Sequence, residues 1–483
     1  MKLRSICSLL GVLLGLAPQS FATAPKPVMV HYMPWFVGKP FSSSWGWHWT
    51  MNHFNPDSTN SSGQRQIASW YYPQVGPYDS DDSALLEYHV LLMKLAGIDG
   101  IIVDWYGPDN YNDYGINNQR TAALFEYARK AGLKFCLCYE DQTIQQEING
   151  GYITAANAIL HAQQTMLYVQ TNYFSDPGYL RWNNQPVLLN FGPQYFKNNS
   201  QWQTIFSVLS NAPAFFTEDN RLPVGAGAFD WPPMWMSQTN NGVLAPAALD
   251  SYLNSFQQNG AAWPAFISSA FPRFHDIYQQ AGVGSSYGYL DDASGATFRN
   301  TLSRALTNQS AIVQIVTWND YGEGTIVEPT ADYNVRDLGV MQDLRRQYLD
   351  TGFSYHTNDL AIATRFFNLR RQYSANRLVS AELDRAFTNI VSANLNAANL
   401  QLHGMEASLP VIYNFSLTGG LLEFSVGGFI FSNGAQVQTS SNLSAATWRT
   451  VDSLAASTNQ MMFSIPVSAD SGAAFFKVQA SPP

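Results

Sequence analysis

Residues 311–330 read AIVQIVTWNDYGEGTIVEPT, an apolar run that ends at Trp318 and leads into a glycine-containing turn. The turn and the residues after it contain three acids, Asp320, Glu323 and Glu328, within nine positions. Charged residues make up only 13% of the chain, which is about half of the usual share in globular proteins. The stretch therefore predicts a buried strand whose carboxyl end is rich in acids for a chemical reason.

The same strand-and-helix unit recurs along the chain. Short apolar runs begin near residues 28, 99, 133, 187, 214, 224, 264 and 312. Stretches with helical spacing separate most of them, at 83–97, 118–131, 153–171, 200–210, 245–257 and 296–308. Apolar strands without polar alternation, joined by helices, are typical of a parallel sheet that is covered on both faces. Eight such strands predict a (β/α)8 barrel. An open doubly wound sheet is the alternative, but no G-x-G-x-x-G or phosphate loop follows an early strand.

The first 22 residues have the composition of a signal peptide. Lys2 and Arg4 precede the short apolar run ICSLLGVLLGLA, and small residues follow up to Ala22, where we expect cleavage. No later segment has about 18 consecutive apolar residues, the length that a membrane-spanning helix needs. We therefore expect a secreted protein, periplasmic or extracellular, without a membrane span.

The pattern changes after the predicted barrel domain, which covers residues 23–356. Residues 357–408 have helical spacing and form a predicted helical linker, which either packs on the barrel or acts as a spacer. Residues 409–483 consist of short alternating runs divided by Gly, Asn and Ser, which predict a small antiparallel, sandwich-like β domain. The predicted fold is thus α/β, with a (β/α)8 barrel, a helical segment and a C-terminal β domain.

Composition limits the partners of this protein. The formal net charge is −9, and no stretch of the sequence is strongly basic, so we expect no binding to nucleic acid. Aromatic residues reach 14%, so rings, amides and hydroxyls outnumber ion pairs on the expected surface. We predict that the protein acts on a polysaccharide or an oligosaccharide as a monomer.

Two cysteines, Cys136 and Cys138, remain after the predicted signal peptide is removed. They lie on the same face of a predicted strand, with Cα atoms about 6.6 Å apart, at the edge of the disulfide range. A metal or redox pair is one interpretation, and two small buried thiols in a core strand are the simpler one, which we prefer. We predict no metal and no cofactor.

Acids, aromatic rings and amides follow the predicted strands at the end where a (β/α)8 barrel has its active site. Glycoside hydrolysis needs two carboxyl groups beside one bond, an acid for the departing oxygen and a base for the attacking group. Asp320 and Glu323 are the predicted catalytic pair. The predicted substrate-binding residues are His31, Trp35, Trp47, Asp104, Trp105, Tyr139, Glu140, Trp231, Asn319 and Tyr321.

Each of the acids has a simpler structural alternative. Asp320 and Glu323 could cap a helix that follows the turn, because acids are favourable at helix N-termini. Asp104 and Glu140 could be sugar ligands or ordinary loop acids. Glu328 lies beyond the turn, and we expect a structural role for it.

Histidines and tryptophans of the first loop also allow two interpretations. His31, His48 and His53 could suggest a metal site, but their irregular spacing favours ordinary hydrogen-bonding histidines. The tryptophans of WGWHW (45–49) alternate, so they would share one face of an extended segment. That face could pack in the core or form a platform for sugar rings.

With these residues identified, the chain resembles glycoside hydrolase families 71 and 99. TWNDYGEG (317–324) resembles the family 71 (α-1,3-glucanase) signature with Asp and Glu three apart, and YGEGTIVEP (321–329) resembles the family 99 (endo-α-mannosidase-like) pattern. VHYMPWF (30–36) and KLAGIDGIIVDWYG (94–107) are similar to the first two strands of the same group. The resemblance implies a (β/α)8 fold and action on α-linked glycans, with Glu323 as the general acid and Asp320 as its partner.

The sequence thus predicts a secreted glycoside hydrolase that cleaves an α-linked polysaccharide of the α-1,3-glucan or α-mannan type. The alternative is a non-catalytic glycan-binding protein that keeps the same barrel and its aromatic cleft.

Overall fold

The computed structural model describes most of the chain after the predicted signal peptide, which lies outside the described residues. The described ranges are 26–239, 242–374, 376–406, 411–427, 434–441, 448–454, 461–467 and 475–480.

Eight parallel strands form a closed barrel. They are Val28–Tyr32 (β1), Gly100–Trp105 (β2), Lys134–Tyr139 (β3), Gln185–Asn190 (β4), Ala214–Glu218 (β5), Gly227–Phe229 (β6), Ile267–Ala270 (β7) and Ile312–Ile315 (β8). Each strand pairs in parallel with the next one in the chain, and β8 pairs with β1, where Val28 lies opposite Val313. The predicted (β/α)8 barrel is confirmed, and the open sheet is wrong.

Helices follow seven of the eight strands and cover the barrel. Two helices follow β3, and one follows each of the other six strands. They are Ser83–Ala96 (α1), Tyr114–Lys130 (α2), Gln142–Asn149 (α3), Ala158–Val169 (α4), Asn199–Phe206 (α5), Pro246–Gly260 (α6), Ala296–Thr307 (α7) and Arg336–Tyr348 (α8). Helix α1 begins after Asp82, whose side chain accepts a hydrogen bond from the Ala84 N–H, and ends at Gly97 in the left-handed region. The sequence did not predict α3, because QTIQQEIN has only two apolar residues, and it did not predict α8.

Alternation along the strands decides which side chains reach the barrel interior. Asp104 of β2 lies opposite Cys138 of β3 in the parallel register, so both lie on the inner face, while their neighbours Trp105 and Tyr139 lie on the outer face. Cys136 and Cys138 are free and buried, as the simpler interpretation of these thiols predicts.

Three further helices follow, of which the first two pack on α1 and the third packs on those two. They are Ala361–Gln372 (α9), Arg377–Val391 (α10) and Leu395–Glu406 (α11). Phe366, Phe367 and Leu383 belong to the same hydrophobic core as the barrel strands, and Arg370 of α9 forms a two-pronged ion pair with Glu87 of α1. The helices after the barrel therefore pack on it and are not an extended spacer.

The described part of the C-terminal region forms two three-stranded antiparallel sheets. Their strands are Val411–Thr418 (β9), Leu421–Gly427 (β10), Ala435–Ser440 (β11), Arg449–Leu454 (β12), Met461–Pro466 (β13) and Phe475–Ala480 (β14), in the orders β9-β10-β13 and β12-β11-β14. Leu422, Phe424 and Phe463 of one sheet share a small core with Ala435 and Val437 of the other. The predicted antiparallel β region is confirmed. In the described part of the chain, every helix is too short or too polar to span a bilayer.

Candidate active site

A cavity of about 260 Å³ opens at the carboxyl ends of the barrel strands. Eight of the twelve predicted site residues line it, namely His31, Trp35, Trp47, Asp104, Glu140, Trp231, Asp320 and Glu323. Other lining residues, which the sequence did not single out as site residues, include His48, Tyr106, Gln142, Phe191, Tyr278 and Tyr287. The structure thus brings both predicted catalytic acids into one cavity with two further acids and several rings.

A tight turn after β8 holds Asp320 and Glu323. The Glu323 N–H donates to Asp320 Oδ1 at 3.0 Å, and the Asp320 N–H donates to Thr317 Oγ1 at 2.8 Å. Gly324 has a φ of 70°, and a Cβ there would lie 2.7 Å from the His275 carbonyl oxygen, so only glycine fits. The next helix, α8, begins twelve residues later at Arg336, so these acids do not cap it.

The turn separates the pKa values of its two acids. Burial raises the pKa of Asp320 to about 6, and the N–H groups of Glu323 and Gly322 oppose that rise because they stabilise the carboxylate. Burial raises the pKa of Glu323 well above its usual range, and the nearby carboxyls of Asp320, Asp276, Glu218 and Glu140 raise it further. No lysine or arginine is among the described residues that line the cavity. Glu323 is therefore the better proton donor and Asp320 the better base.

Asp104 and Glu140 form a second acidic pair across the cavity. Burial, followed by the charge of Glu140, raises the pKa of Asp104 well above its usual range, and burial raises the pKa of Glu140 to about 7. The two carboxyls share a hydrogen bond in which protonated Asp104 is the donor, and the Gln142 amide also donates to Glu140. Within the described chain, no N–H or hydroxyl donates to either Asp104 oxygen. The carbonyl oxygen of protonated Asp104 is thus available to accept from a hydroxyl of a ligand.

Aromatic rings form the walls of the cavity. Trp35 stacks on His48 with ring centroids 4.2 Å apart, and Trp231 contacts His31 and Phe191 edge-on, each at 5.0 Å. Trp47 is 43% exposed at the cavity rim. Flat, partly open rings of this kind suit the apolar faces of sugars.

The tryptophans of WGWHW do not share one face, because residues 47–50 form a helical turn and not an extended segment. Trp47 faces the cavity, whereas Trp49 is buried and its Nε1 donates to the Tyr78 carbonyl at 2.7 Å. Trp45 donates to Asp57, outside the cavity. Only one of the three rings therefore fits the predicted sugar platform.

Four predicted substrate-binding residues do not line the cavity, so the structure does not place them where the sequence analysis expected. Trp105 and Tyr139 lie on the outer faces of β2 and β3, and the Trp105 Nε1 donates to Asn118 Oδ1 at 3.0 Å. Asn319 links back to the main chain of Met33 with two hydrogen bonds, at 2.8 and 3.0 Å. Tyr321 is fully buried, and its hydroxyl bonds to Glu328. Strand alternation and the tightness of the turn explain these placements.

Glu328 has the structural role that the sequence predicted. Its Oε2 accepts hydrogen bonds from the hydroxyls of Tyr78 and Tyr321, at 2.8 and 3.0 Å, and its Oε1 lies 3.0 Å from His89 Nε2. All of these side chains are buried. The network ties the end of the β8 turn to the first loop and to α1.

Glu218 is an acid near the cavity that sequence reasoning missed. It is the last residue of β5, and its charge is among those that raise the pKa of Glu323. Burial, followed by the charges of Asp219 and Glu140, raises the pKa of Glu218 to about 8. The signal was present, because AFFTE ends in an acid in the same way as the other strands.

Two groups of side chains in the described residues could offer ligand atoms to a metal ion. The first is His31, Asp104 and Cys138, at the floor of the cavity. Burial raises the pKa of the Cys138 thiol well above its usual range, and Asp104 holds a proton toward Glu140. These two groups are therefore poor anionic ligands near neutral pH. The second group, Asp109, Glu147 and His161, lies outside the cavity.

Comparison with known proteins extends the resemblance over the whole barrel. The sequence model of glycosyl hydrolase family 99 matches residues 25–359. Glycoprotein endo-alpha-1,2-mannosidase from Mus musculus is 21% identical over 327 residues, covering 62% of this chain and 66% of its own length. The same enzyme from Rattus norvegicus is 23% identical, covering 63% and 68%. The chain therefore spans about two thirds of the length of these relatives.

The solved structure of a GH99 endo-alpha-mannosidase from Bacteroides thetaiotaomicron, in complex with bis-tris-propane, superposes with a TM-score of 0.50. It is 19% identical and covers 68% of this chain and 98% of its own, which supports the same barrel fold. The family 99 part of the resemblance is confirmed, and the family 71 part stays a prediction. Because the family match covers more than half of the chain, the chain is a glycoside hydrolase that belongs to glycosyl hydrolase family 99.

Proposed function

We propose that this protein hydrolyses α-linked mannan-type glycans, with Glu323 as the general acid and Asp320 as the base. One observation supports this most strongly. Two carboxyl groups in one locked turn face a single cavity, and their surroundings separate their pKa values. That separation assigns an acid and a base to neighbouring groups.

In this proposal, Glu323 gives its proton to the glycosidic oxygen as the bond to the anomeric carbon breaks. Asp320 removes a proton from the group that attacks the anomeric carbon, which is water or the sugar's own 2-hydroxyl. If water attacks, Asp320 is left with an extra proton and Glu323 without one, and transfer of one proton through solvent restores both. If the 2-hydroxyl attacks, a 1,2-anhydro sugar forms; Glu323 then removes a proton from the water that opens this ring, and Asp320 returns its proton to the 2-oxygen. The proton on Glu323 is maintained near neutral pH by burial and by the surrounding carboxyls.

His31 accepts a substrate hydroxyl in this proposal. The Gln314 amide donates to Ser269 Oγ at 3.1 Å, so its carbonyl oxygen faces His31 Nδ1, 3.5 Å away, and Nδ1 carries the hydrogen. Burial lowers the pKa of His31 to about 4, so the ring is neutral and Nε2 has a free lone pair. Within the described chain, Nε2 has no partner. Asp104, beside it, offers the carbonyl oxygen of its protonated carboxyl as a further acceptor.

The mannan-type substrate is supported by the names of the relatives, which are endo-alpha-1,2-mannosidases. The test incubates purified protein with α-1,2-linked mannan, α-1,3-glucan and β-1,4-mannan and measures new reducing ends. We expect release from the α-mannan only. Glu323→Gln should bind the same glycan without cleaving it. Retention by the wild-type protein without any new reducing ends would instead support the alternative, a non-catalytic glycan-binding protein.

We also propose that the protein is secreted, on the composition of residues 1–22. Mass spectrometry of protein recovered outside the cytoplasm should show a chain that begins at Thr23. A chain that starts at Met1 and stays in the cytoplasm would contradict export.

A further inference from the structure

A second polar cluster lies outside the active-site cavity, where the loop after β2 meets α3 and α4. It consists of Asp109 in the loop, Glu147 near the end of α3, and His161 in the first turn of α4. His161 Nε2 lies 3.2 Å from Asp109 Oδ2 and 3.1 Å from Glu147 Oε2. One ligand atom from each residue lies within 4.8 Å of the other two.

Few donors serve the two carboxyls of the cluster, since the His161 imidazole contacts both and the Tyr152 hydroxyl reaches Asp109. Glu147 is only 1% exposed, and among the described residues its Oε2 has no hydrogen-bond partner, although the imidazole of His161 is in contact. The single hydrogen on His161 Nε2 can be directed at only one of the two carboxylates. In the described chain, neither Asp109 nor Glu147 forms an ion pair with a lysine or arginine. In the metal-free protein His161 itself supplies the compensating positive charge, because its hydrogen bonds to Asp109 and Glu147 raise its pKa to about 9, and a bound metal ion would replace that proton.

The spacing of the ligand atoms fits a single metal ion. Zn²⁺ binds imidazole nitrogen and carboxylate oxygen at about 2.0–2.2 Å. Two ligand atoms at that distance from one ion are roughly 2.8–3.6 Å apart in octahedral or tetrahedral geometry. The observed separations of 3.1 and 3.2 Å lie in this range. The imidazole favours Zn²⁺ over Mg²⁺ and Ca²⁺, which prefer oxygen ligands only.

The geometry points to a divalent transition-metal site formed by Asp109, Glu147 and His161, best suited to Zn²⁺, with water in the remaining coordination position. Neither the family match nor the proposed hydrolysis requires this site. Its consequence for the active site follows from α3, because this helix begins two residues after Glu140 and its Gln142 donates to the Glu140 carboxyl. An ion that joins α3 to the β2 loop and α4 would therefore fix the wall that positions Glu140.

The competing explanation is an ion-pair triad, in which a protonated His161 lies between the two carboxylates without a metal. Isothermal titration of the full mature chain, purified without a histidine tag and stripped with chelator, separates the two. We expect one Zn²⁺ per chain, a higher Tm with Zn²⁺ than with Mg²⁺, and anomalous scattering at the zinc edge between these three side chains. His161→Gln should weaken Zn²⁺ binding by more than about tenfold.

Three variants complete the experiment. Asp109→Asn keeps the side-chain shape and should also weaken Zn²⁺ binding, and it serves if His161→Gln does not fold. His403→Gln, at an exposed histidine elsewhere, should bind as the wild type does. Absence of 1:1 binding, equal binding by His161→Gln, or loss of binding in Cys138→Ser instead would overturn the site. A lower Tm of His161→Gln with unchanged Zn²⁺ binding would assign the triad to the ion pair.

Discussion

At the scale of single residues, the chemistry depends on how one turn treats two similar carboxyls differently. Asp320 accepts hydrogen bonds from main-chain N–H groups, which favour its charged form. Glu323 is buried beside other acids, and both effects favour its protonated form. The residue types and their spacing were readable from the sequence. The hydrogen bonds that separate their roles were not, because they depend on a turn conformation that Thr317 and Gly324 fix.

A leaving-group test distinguishes the two roles. Glu323→Gln should reduce kcat on an α-linked mannooligosaccharide by about 10²–10⁴-fold, because the departing oxygen is no longer protonated. The same variant should regain activity on an α-mannosyl fluoride, since fluoride leaves without a proton. Asp320→Asn should be slow on both substrates. Equal losses of Glu323→Gln activity on both substrates would contradict its role as the acid.

The pH dependence of kcat/KM should also report this pair. Activity should fall as the pH drops below about 6, because Asp320 must be ionised to act as base. The basic limb should follow loss of the Glu323 proton. Glu140→Gln removes a carboxylate that raises the pKa of Glu323, so it should move the basic limb to lower pH. A basic limb that does not move in this variant would remove Glu140 from the electrostatics of the acid.

At the scale of elements, strand periodicity and strand ends were the most informative features of the sequence. All eight barrel strands were predicted, because apolar runs bounded by helices have few alternatives, and so were the acids at the strand ends except Glu218. The facing of single residues was harder to predict. Trp105 and Tyr139 were expected to face the barrel interior, but they lie on its outer face. The tryptophans of WGWHW point in different directions because residues 47–50 form a helical turn. A one-residue uncertainty in register exchanges inside and outside.

The contact between α9 and α1 gives a prediction at this scale. Arg370 and Glu87 are both nearly buried, with 12% and 13% of their side chains exposed. Arg370→Met leaves the Glu87 charge without its main partner, so it should lower the free energy of unfolding by about 3–5 kcal/mol. Urea titration measures this.

Arg365→Met is the matched control on the same helix. Its ion pair with Glu406 is partly exposed, at 32% and 36%, so its loss should cost less than about 1 kcal/mol. Equal effects of the two substitutions would mean that α9 does not depend on its ion pair with α1.

At the scale of the whole molecule, the acidic cavity costs stability. The folded pKa of Glu140, about 7, lies above its usual value of 4.5, so the folded state holds the proton over a pH range in which the unfolded state has lost it. The contribution of Glu140 to the free energy of unfolding is therefore most favourable below about pH 4.5 and is lost as the pH rises through about 7. A barrel with several such carboxyls should therefore unfold more easily at alkaline pH.

Glu140→Gln tests whether this buried carboxyl lowers the stability of the folded protein at alkaline pH. The variant should be similar to the wild type near pH 4 and more stable at pH 8, by on the order of 2–3 kcal/mol. Thermal unfolding across this pH range measures the difference. Glu126→Gln, at an exposed residue that forms an ion pair with Lys130, should show no such trend. If the difference in stability between Glu140→Gln and the wild type were the same at all pH values, the raised pKa of Glu140 would not be the cause of lower stability at alkaline pH.

The whole-molecule organisation was only partly readable from sequence. The order of barrel, helices and antiparallel β region was predicted from changes in periodicity. The packing of α9 and α10 on α1 could not be predicted, because an amphipathic helix shows that it has an apolar face and not which surface covers it. Asp104 and Glu140 meet at the ends of the adjacent strands β2 and β3, and the sequence could not reveal this contact because it depends on the register between the two strands.

The most direct test of the central claim is a crystal structure of the Glu323→Gln variant with a bound α-1,2-linked mannotetraose. We expect the glycosidic oxygen to lie within hydrogen-bond distance, about 3 Å, of the side chain at position 323. We also expect the Asp320 carboxylate to contact the same sugar unit, near the anomeric carbon or its 2-hydroxyl. A glycan bound away from the barrel mouth, or a side chain at either position turned away from the linkage, would contradict the proposed catalytic pair.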